Sequence, residues 1–312
     1  MAVAIAGVVG FAQKRKGVAP KAPRGGTDPN LQRDFGPYRV LRLLGEGGCA
    51  SAYLGVHRAT GAEVAIKVPH RHLAQDPQFR IRFLREASLG AKLHHPKIVR
   101  ILTPSPQVDD LWLAMEYVKG TTLQAYLRQN GRLPVSEVIR VAMDLAGAIA
   151  HAHEQGVVHR DLKPANIMLN EQGAWVMDFG IARVLDATGT TSTMFLGTPA
   201  YAAPECLANP QVGPSADRYA LGLILFEMLA GYPAFTGASA FQILECQRVQ
   251  ALPSLADIRP DLPSKLVDLV NRLCEKDPNR RPDDEEALRC LQSLKPNASS
   301  PQPSGAHPEC VR

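Results

Sequence analysis

The sequence predicts an α+β fold of two lobes, the first built on strands and the second mainly on helices. Three observations carry this prediction. Residues 38–68 read as successive strands, residues beyond about 118 carry apolar side chains at helical spacing, and 312 residues with 45% hydrophobic content can bury a large core.

Residues 1–12 are apolar and are followed by Lys14-Arg15-Lys16. That run is shorter than the roughly 20 residues a spanning helix needs, and its positive charge follows the apolar stretch, unlike a secretory signal. Residues 17–30 then turn to Pro, Gly, Lys and Arg, so 1–34 is expected to be a disordered leader, either detached or a weak surface anchor. No transmembrane helix is expected.

The first lobe is assigned to 35–117. Strands are expected at 38–44, 51–57 and 63–68, with a Thr60-Gly61 turn between the last two. Asp76-Pro77 supplies an N-cap and a first-turn proline for a helix with Phe79, Phe83, Ala87 and Ala91 on one face. Strands at 98–102 and 111–116 complete the sheet. The second lobe, 118–294, opens with a helix at 136–154 whose Ile139, Ala142, Leu145, Ala146 and Ile149 share a face and which Gly156 stops. The apolar run 219–229 is too short to span a bilayer and reads as a buried central helix. Residues 295–312 form a Pro/Ser-rich tail, expected to be disordered.

Composition narrows the function. Six cysteines without a C-x-x-C pair read as reduced thiols, which favours the cytoplasm. The formal charge of +5 is spread without a basic run in the body of the chain, so it reads as solvated surface and no nucleic-acid partner is expected.

Four segments carry chemistry. Gly45-Glu46-Gly47-Gly48 can bring backbone N–H groups close to a phosphate, and because a strand follows it, a hairpin flap over a nucleotide is favoured over a dinucleotide-binding turn. A glycine hairpin without a ligand would look the same. Lys67 ends the apolar strand Val64-Ala65-Ile66-Lys67, where a charge needs partners such as phosphate oxygens and a carboxylate. Glu86 on the next helix is the natural carboxylate, though a solvated glutamate fits that position too. Last, His159-Arg160-Asp161-Leu162-Lys163-Pro164-Ala165-Asn166 is followed by Asp178-Phe179-Gly180. One carboxylate can orient an incoming hydroxyl, and a second carboxylate with an amide can hold Mg²⁺. Either aspartate alone could be a turn residue; their order and spacing together argue otherwise.

On these motifs the chain resembles the eukaryotic-like Ser/Thr protein kinases, most closely their bacterial branch, over about residues 38–294. The resemblance implies the bilobal protein-kinase fold, ATP and Mg²⁺ as cofactors, and Ser/Thr-bearing proteins as substrates. It also admits a transient kinase dimer. Gly45, Glu46, Gly47 and Gly48 would cover the phosphates, Lys67 would hold them and pair with Glu86, and Asp161 would be the catalytic base. Asn166 and Asp178 would bind the metal, and Lys163 would stabilise the transferring group. Met115 matches the gatekeeper, backbone groups of Glu116 and Val118 would bind adenine, and Ala65 and Met168 would sandwich the ring. Residues 197–205 resemble the end of the activation segment and the substrate-positioning loop. Thr198 would bond near Asp161 and Lys163, Glu205 would pair with Arg281, and Asp217 would tie the backbone at His159-Arg160. His159 is expected to pack beneath Phe179 and transfer no proton. Arg160 makes a positive pocket that a phosphate on Thr188, Thr190, Thr191, Ser192 or Thr193 could neutralise, so autophosphorylation there is expected.

Three departures stand out. Ala50 replaces a frequent third glycine, Ala52 replaces a valine over the adenine, and Gly90 sits one turn after Glu86 where a bulkier apolar residue is common. A catalytically silent scaffold and a small-molecule phosphotransferase remain alternatives. The intact set of Lys67, Glu86, Asp161, Asn166 and Asp178 speaks against the first, and Lys163 with 197–205 against the second.

Overall fold

A computed structural model of the chain describes residues 30–31, 33–104, 111–179, 199–207 and 212–294, excluding the side chains of Glu86, Thr103 and Pro104. The first lobe is a six-stranded antiparallel sheet in the order β1-β2-β3-β4-β6-β5. Its strands are β1 (Asp34–Phe35), β2 (Tyr38–Glu46), β3 (Ala50–His57), β4 (Glu63–Pro69), β5 (Ile101–Pro104) and β6 (Leu113–Glu116). Side-chain alternation splits its residues between two packed faces. Val64 and Ile66 of β4 join Tyr38, Tyr53, Trp112 and Ala114 on one side. Leu113 and Met115 of β6 meet Phe79, Phe83 and Ala87 of α2 (Pro77–Gly90) on the other.

Helix α2 starts where Asp76-Pro77 indicates, because the Asp76 carboxylate accepts a hydrogen bond from the Gln78 N–H at 2.9 Å. A short helix, α1 (Arg71–Ala74), precedes it. One strand begins later than expected, at Ile101 rather than Ile98. The physical reason is a competing partner: the Val99 N–H donates to the Val176 carbonyl, and the Val176 N–H donates to the Lys97 carbonyl, both at 2.9 Å. Residues 97–99 thereby tie the first lobe to the second.

The second lobe carries a small antiparallel sheet of β7 (Thr121–Thr122), β8 (Ile167–Asn170) and β9 (Gly173–Val176). Its helices are α3 (Leu123–Asn130), α4 (Val135–Glu154), α5 (Pro214–Ala230), α6 (Ala240–Val249), α7 (Leu255–Ile258), α8 (Ser264–Leu273) and α9 (Asp284–Ser293). Gly156 follows α4 with φ +72°, a conformation open to glycine without a Cβ penalty. Helix α5 is the central element foreseen at 219–229: every residue from Tyr219 to Leu229 is buried. A helix that is apolar along most of its length belongs inside a core, and α4, α7 and α8 pack against it. Among the described residues no helix is long and apolar enough to cross a membrane.

Candidate active site

The glycine segment forms a hairpin flap. Gly45 pairs with Ala52 and Glu46 with Ser51, and the Gly47 N–H donates to the Ala50 carbonyl at 2.9 Å. A Cβ built at Gly45 or Gly48 meets nothing within 4 Å, so internal packing does not demand glycine at either position. Close approach of something outside the protein does supply a reason. The His70 N–H donates to the Cys49 carbonyl at 2.9 Å, and the His70 ring lies 2.8 Å from the Gly47 carbonyl. A carbonyl only accepts, so His70 Nε2 carries the proton and ties the flap to the end of β4.

Lys67 lies on β4, with its Nζ 2.9 Å from Asp178 Oδ1. The resemblance implies Glu86 as its partner; the described partner is Asp178, and the Glu86 side chain lies outside the described residues. Burial works against the Asp178 charge, but the Lys67 ammonium outweighs it and holds that carboxyl below its ordinary pKa. Asp178 has φ +64°, as does Arg160. Such angles are uncommon for residues with a Cβ and persist only where the surroundings impose them.

For Arg160 the imposing group is Asp217 of α5, which is 1% exposed. Its two oxygens accept from the His159 and Arg160 backbone N–H groups at 2.7 and 2.8 Å, the tie the sequence indicates. His159 is fully buried; its Nε2 donates to the Met177 carbonyl at 2.8 Å, leaving Nδ1 to accept from the Asp161 N–H at 3.2 Å. Both ring nitrogens are thus committed, and the ring packs on Phe179 with centroids 4.7 Å apart. Asp161 Oδ2 lies 2.6 Å from Lys163 Nζ, and Asn166 Nδ2 donates to the Asp161 carbonyl and to Oδ2 at 2.9 and 3.2 Å. Asp161, Lys163 and Asn166 therefore form one bonded group, with Lys67 and Asp178 as a second.

The nitrogen of the Asn166 amide faces Asp161, which leaves its oxygen as the atom suited to a cation. With the Asp178 carboxylate this is a sparse oxygen donor set, and no group of three or more acidic, His or Cys side chains arranged to hold a metal ion is present among the described residues. Few protein ligands plus phosphate oxygens and water suit Mg²⁺, so these residues fit that ion.

Ala65 is half-buried and in register with Met115, sharing a cluster with Val118. Glu116 ends β6, with its N–H donating to the Arg100 carbonyl at 2.9 Å, and Met168 is half-buried on β8. Ala65, Met115 and Glu116 thus stand in the first-lobe sheet, Val118 just after it, and Met168 in the small sheet of the second lobe. Glu205 and Arg281 form the expected pair, with two bonds of 2.6 and 2.8 Å. Gly180, Gly197, Thr198 and the five candidate acceptors Thr188, Thr190, Thr191, Ser192 and Thr193 lie outside the described residues.

Sequence reasoning missed the group beneath the loop. His153 of α4 lies 3.0 Å from Asp217 Oδ2 through Nε2 and 2.8 Å from Asp284 Oδ2 through Nδ1, while Arg218 makes two 2.8 Å bonds to Asp284. Burial opposes a charge on His153, but its bonds to Asp217 and Asp284 prevail and raise its pKa to about 9. The only sequence signal is a histidine next to the buried Ala152, which is weak. His70 was missed as well, since nothing local marks a histidine after a strand as a flap tie.

A two-lobed fold with this flap, lysine and paired loops is that of the protein kinases. Residues 38–291 match the protein kinase domain family, and the chain belongs to it. It is similar to Serine/threonine-protein kinase PrkC of Bacillus subtilis, 38% identical over 80% of this chain and 39% of that protein. It is also similar to Serine/threonine-protein kinase PkaA of Streptomyces coelicolor, 40% identical over 82% of this chain and 49% of that protein. The chain thus spans less than half the length of these two curated relatives. Among solved structures it resembles the Mycobacterium tuberculosis PknI kinase domain, with 31% identity and a TM-score of 0.67 over 84% of this chain and 98% of that one. Rad53 in complex with AMP-PNP gives a TM-score of 0.68 at 25% identity, over 81% of this chain and 64% of that one.

Proposed function

We propose that this chain transfers the γ-phosphoryl group of ATP to serine or threonine hydroxyls of proteins, with Mg²⁺ as cofactor. One observation carries the reading: Asp161 Oδ2 sits 2.6 Å from Lys163 Nζ and 3.2 Å from Asn166 Nδ2, in a loop whose backbone Asp217 holds. Asp161 is the only carboxylate in that group and orients the acceptor hydroxyl, taking its proton as the hydroxyl oxygen bonds to the γ-phosphorus and the bond from that phosphorus to the β,γ-bridging oxygen breaks, with ADP as the leaving group. Lys163 sets a positive charge beside the transferring group and Lys67 does so for the other phosphates. Gly45, Glu46, Gly47 and Gly48 offer backbone N–H donors, Ala65 and Met168 enclose the adenine, and Glu116 and Val118 bind its edge. Asn166 and Asp178 hold the magnesium, which when bound neutralises phosphate charge. In the ATP-bound state Lys67 would hold the phosphates and pair with Glu86, which releases the Asp178 carboxylate for the metal.

A kinase named for serine and threonine among the relatives, and Lys163 in this chain, support protein hydroxyls as acceptors. Described cysteines without disulfides suit a cytoplasmic setting, where ATP is abundant. Autophosphorylation on Thr188, Thr190, Thr191, Ser192 or Thr193 belongs to the same reading and rests on sequence, with Arg160 as the phosphate's partner. Mass spectrometry of active protein should find at least one modified.

The test is transfer of label from γ-labelled ATP to a generic basic protein, wild type against Asp161→Asn. Loss of about a hundredfold or more in labelling, with nucleotide binding retained, is expected. Equal labelling by both proteins, or label on small molecules only, would overturn the reading.

A further inference from the structure

Gln247 of α6 is fully buried, although Phe241 on the same helix is 76% exposed. An amide in such a place is costly unless its polar atoms are bonded. All are engaged here: Nε2 donates to the Ala200 carbonyl at 2.8 Å and more weakly to the Pro199 carbonyl at 3.4 Å, and Oε1 accepts from the Tyr219 hydroxyl at 2.5 Å. The opposite amide orientation would put oxygen against two carbonyls, so chemistry fixes this one.

The residues so held form the turn Pro199–Tyr201. Pro199 has no N–H to anchor it. The turn is instead suspended from both sides. The Tyr201 hydroxyl donates to Glu227 of α5 at 2.5 Å, and the two carbonyls rest on Gln247, which Tyr219 of α5 secures. The Tyr219 ring in turn lies 4.8 Å beneath the Arg281 guanidinium of the Glu205 pair. Gln247 thus joins α5, α6 and the substrate-facing turn through a single side chain.

We propose that Gln247 is a positioning residue for the protein substrate: its amide fixes the height and orientation of the 199–201 turn against which the acceptor polypeptide lies. This rests on the kinase reading and on 197–205 being the substrate-positioning loop. Gln247 contacts no residue assigned to nucleotide or metal, so its effect is confined to the polypeptide. Removing the amide takes the 2.8 Å donor from the Ala200 carbonyl and leaves the Pro199 carbonyl held only by the Ala202 N–H at 3.2 Å, so the half-buried turn is free to shift.

The experiment is steady-state kinetics of the full chain with a serine-containing basic peptide selected from a library as a wild-type substrate. Gln247→Met keeps length and volume but cannot donate. It should raise the peptide KM about tenfold, leave kcat within about threefold, and leave the ATP KM and the hydrolysis of ATP by water unchanged. Tyr219→Phe, which removes the bond to Oε1 and the 3.3 Å bond from Lys276 Nζ to the hydroxyl but keeps the amide donor to the turn, should shift peptide KM in the same direction by less, and the double variant should not exceed Gln247→Met alone. If Gln247→Met fails to fold, Tyr219→Phe still decides the matter. An unchanged peptide KM, or parallel losses in kcat and in both KM values, overturns the inference. Absence of any Asp161-dependent phosphorylation would instead remove the kinase reading on which it stands.

Discussion

The His153 ring lies 3.0 Å from Asp217, and the same carboxylate grips the backbone of His159 and Arg160. The loop that opens with His159 and Arg160, the latter in a left-handed conformation, therefore rests on a histidine in α4 that is itself clamped by Asp284. An ionised carboxylate can only accept, so a ring facing a carboxylate through each nitrogen is held as the doubly protonated cation.

That arrangement makes stability depend on pH. The folded His153 pKa is about 9 against an ordinary value of 6.5. Its contribution is fully present below about 6.5, declines as pH rises, and is lost above about 9. A shift of this size corresponds to about 3 kcal/mol. Urea unfolding across that window should show wild type losing about this much more stability than His153→Gln, which has no charge to lose. Equal pH profiles would refute the charged-histidine account.

The Glu205–Arg281 pair should be costly to break from one side. Arg281 is buried, and besides Glu205 it donates to the carbonyls of Glu275, Ser215 and Lys276. Removing one partner strands a buried charge, at about 3 to 5 kcal/mol. Glu205→Gln should lower the midpoint of thermal unfolding markedly, and Arg281→Lys should do the same because an ammonium cannot reproduce the two-pronged contact.

Ala52 lies on β3 in register with Gly45 and Lys67, half-buried beside the flap. If the adenine packs there, two further methyl groups add about 1 to 2 kcal/mol of contact. Ala52→Val should then lower the ATP KM about fivefold or more with peptide KM unchanged, as read from initial rates at varied ATP.

Gly90 ends α2 beside a small cavity that Ile101, Met115, Asp178 and Phe179 also line. A Cβ there would lie 2.7 Å from Ile101 Cδ1 and 3.6 Å from the Phe179 carbonyl oxygen. Ile101 occupies the space a larger residue would take, which accounts for the glycine. Since that methyl group can move, Gly90→Ala should stay within about 1 kcal/mol of wild type, helped by helix propensity. Gly90→Leu must displace Ile101 altogether and should cost about 1 to 3 kcal/mol, measured by denaturant unfolding.

Much of this molecule was legible along the chain. Strands β2, β3 and β4, the start of α2 at Asp76-Pro77, and the burial of 219–229 all follow from alternation, capping and apolar continuity, which act over a few residues. The onset of β5 did not, because Val99 is claimed by Val176 of the other lobe and no local pattern announces a partner 77 positions away.

The site divides along the same line. Sequence alone determined which residue types stand in which order, so Asp161, Asn166 and Asp178 could be singled out by spacing, and Lys163 by resemblance. The resemblance implied Asp217 for the loop backbone, but only the tertiary structure decided the other partners: Asp178 for Lys67, His153 and Asp284 beneath Asp217, and Gln247 under the 199–201 turn. The physical reason is that a buried polar group is satisfied by whatever the fold brings within about 3 Å, and that neighbour is set by packing rather than by position in the chain.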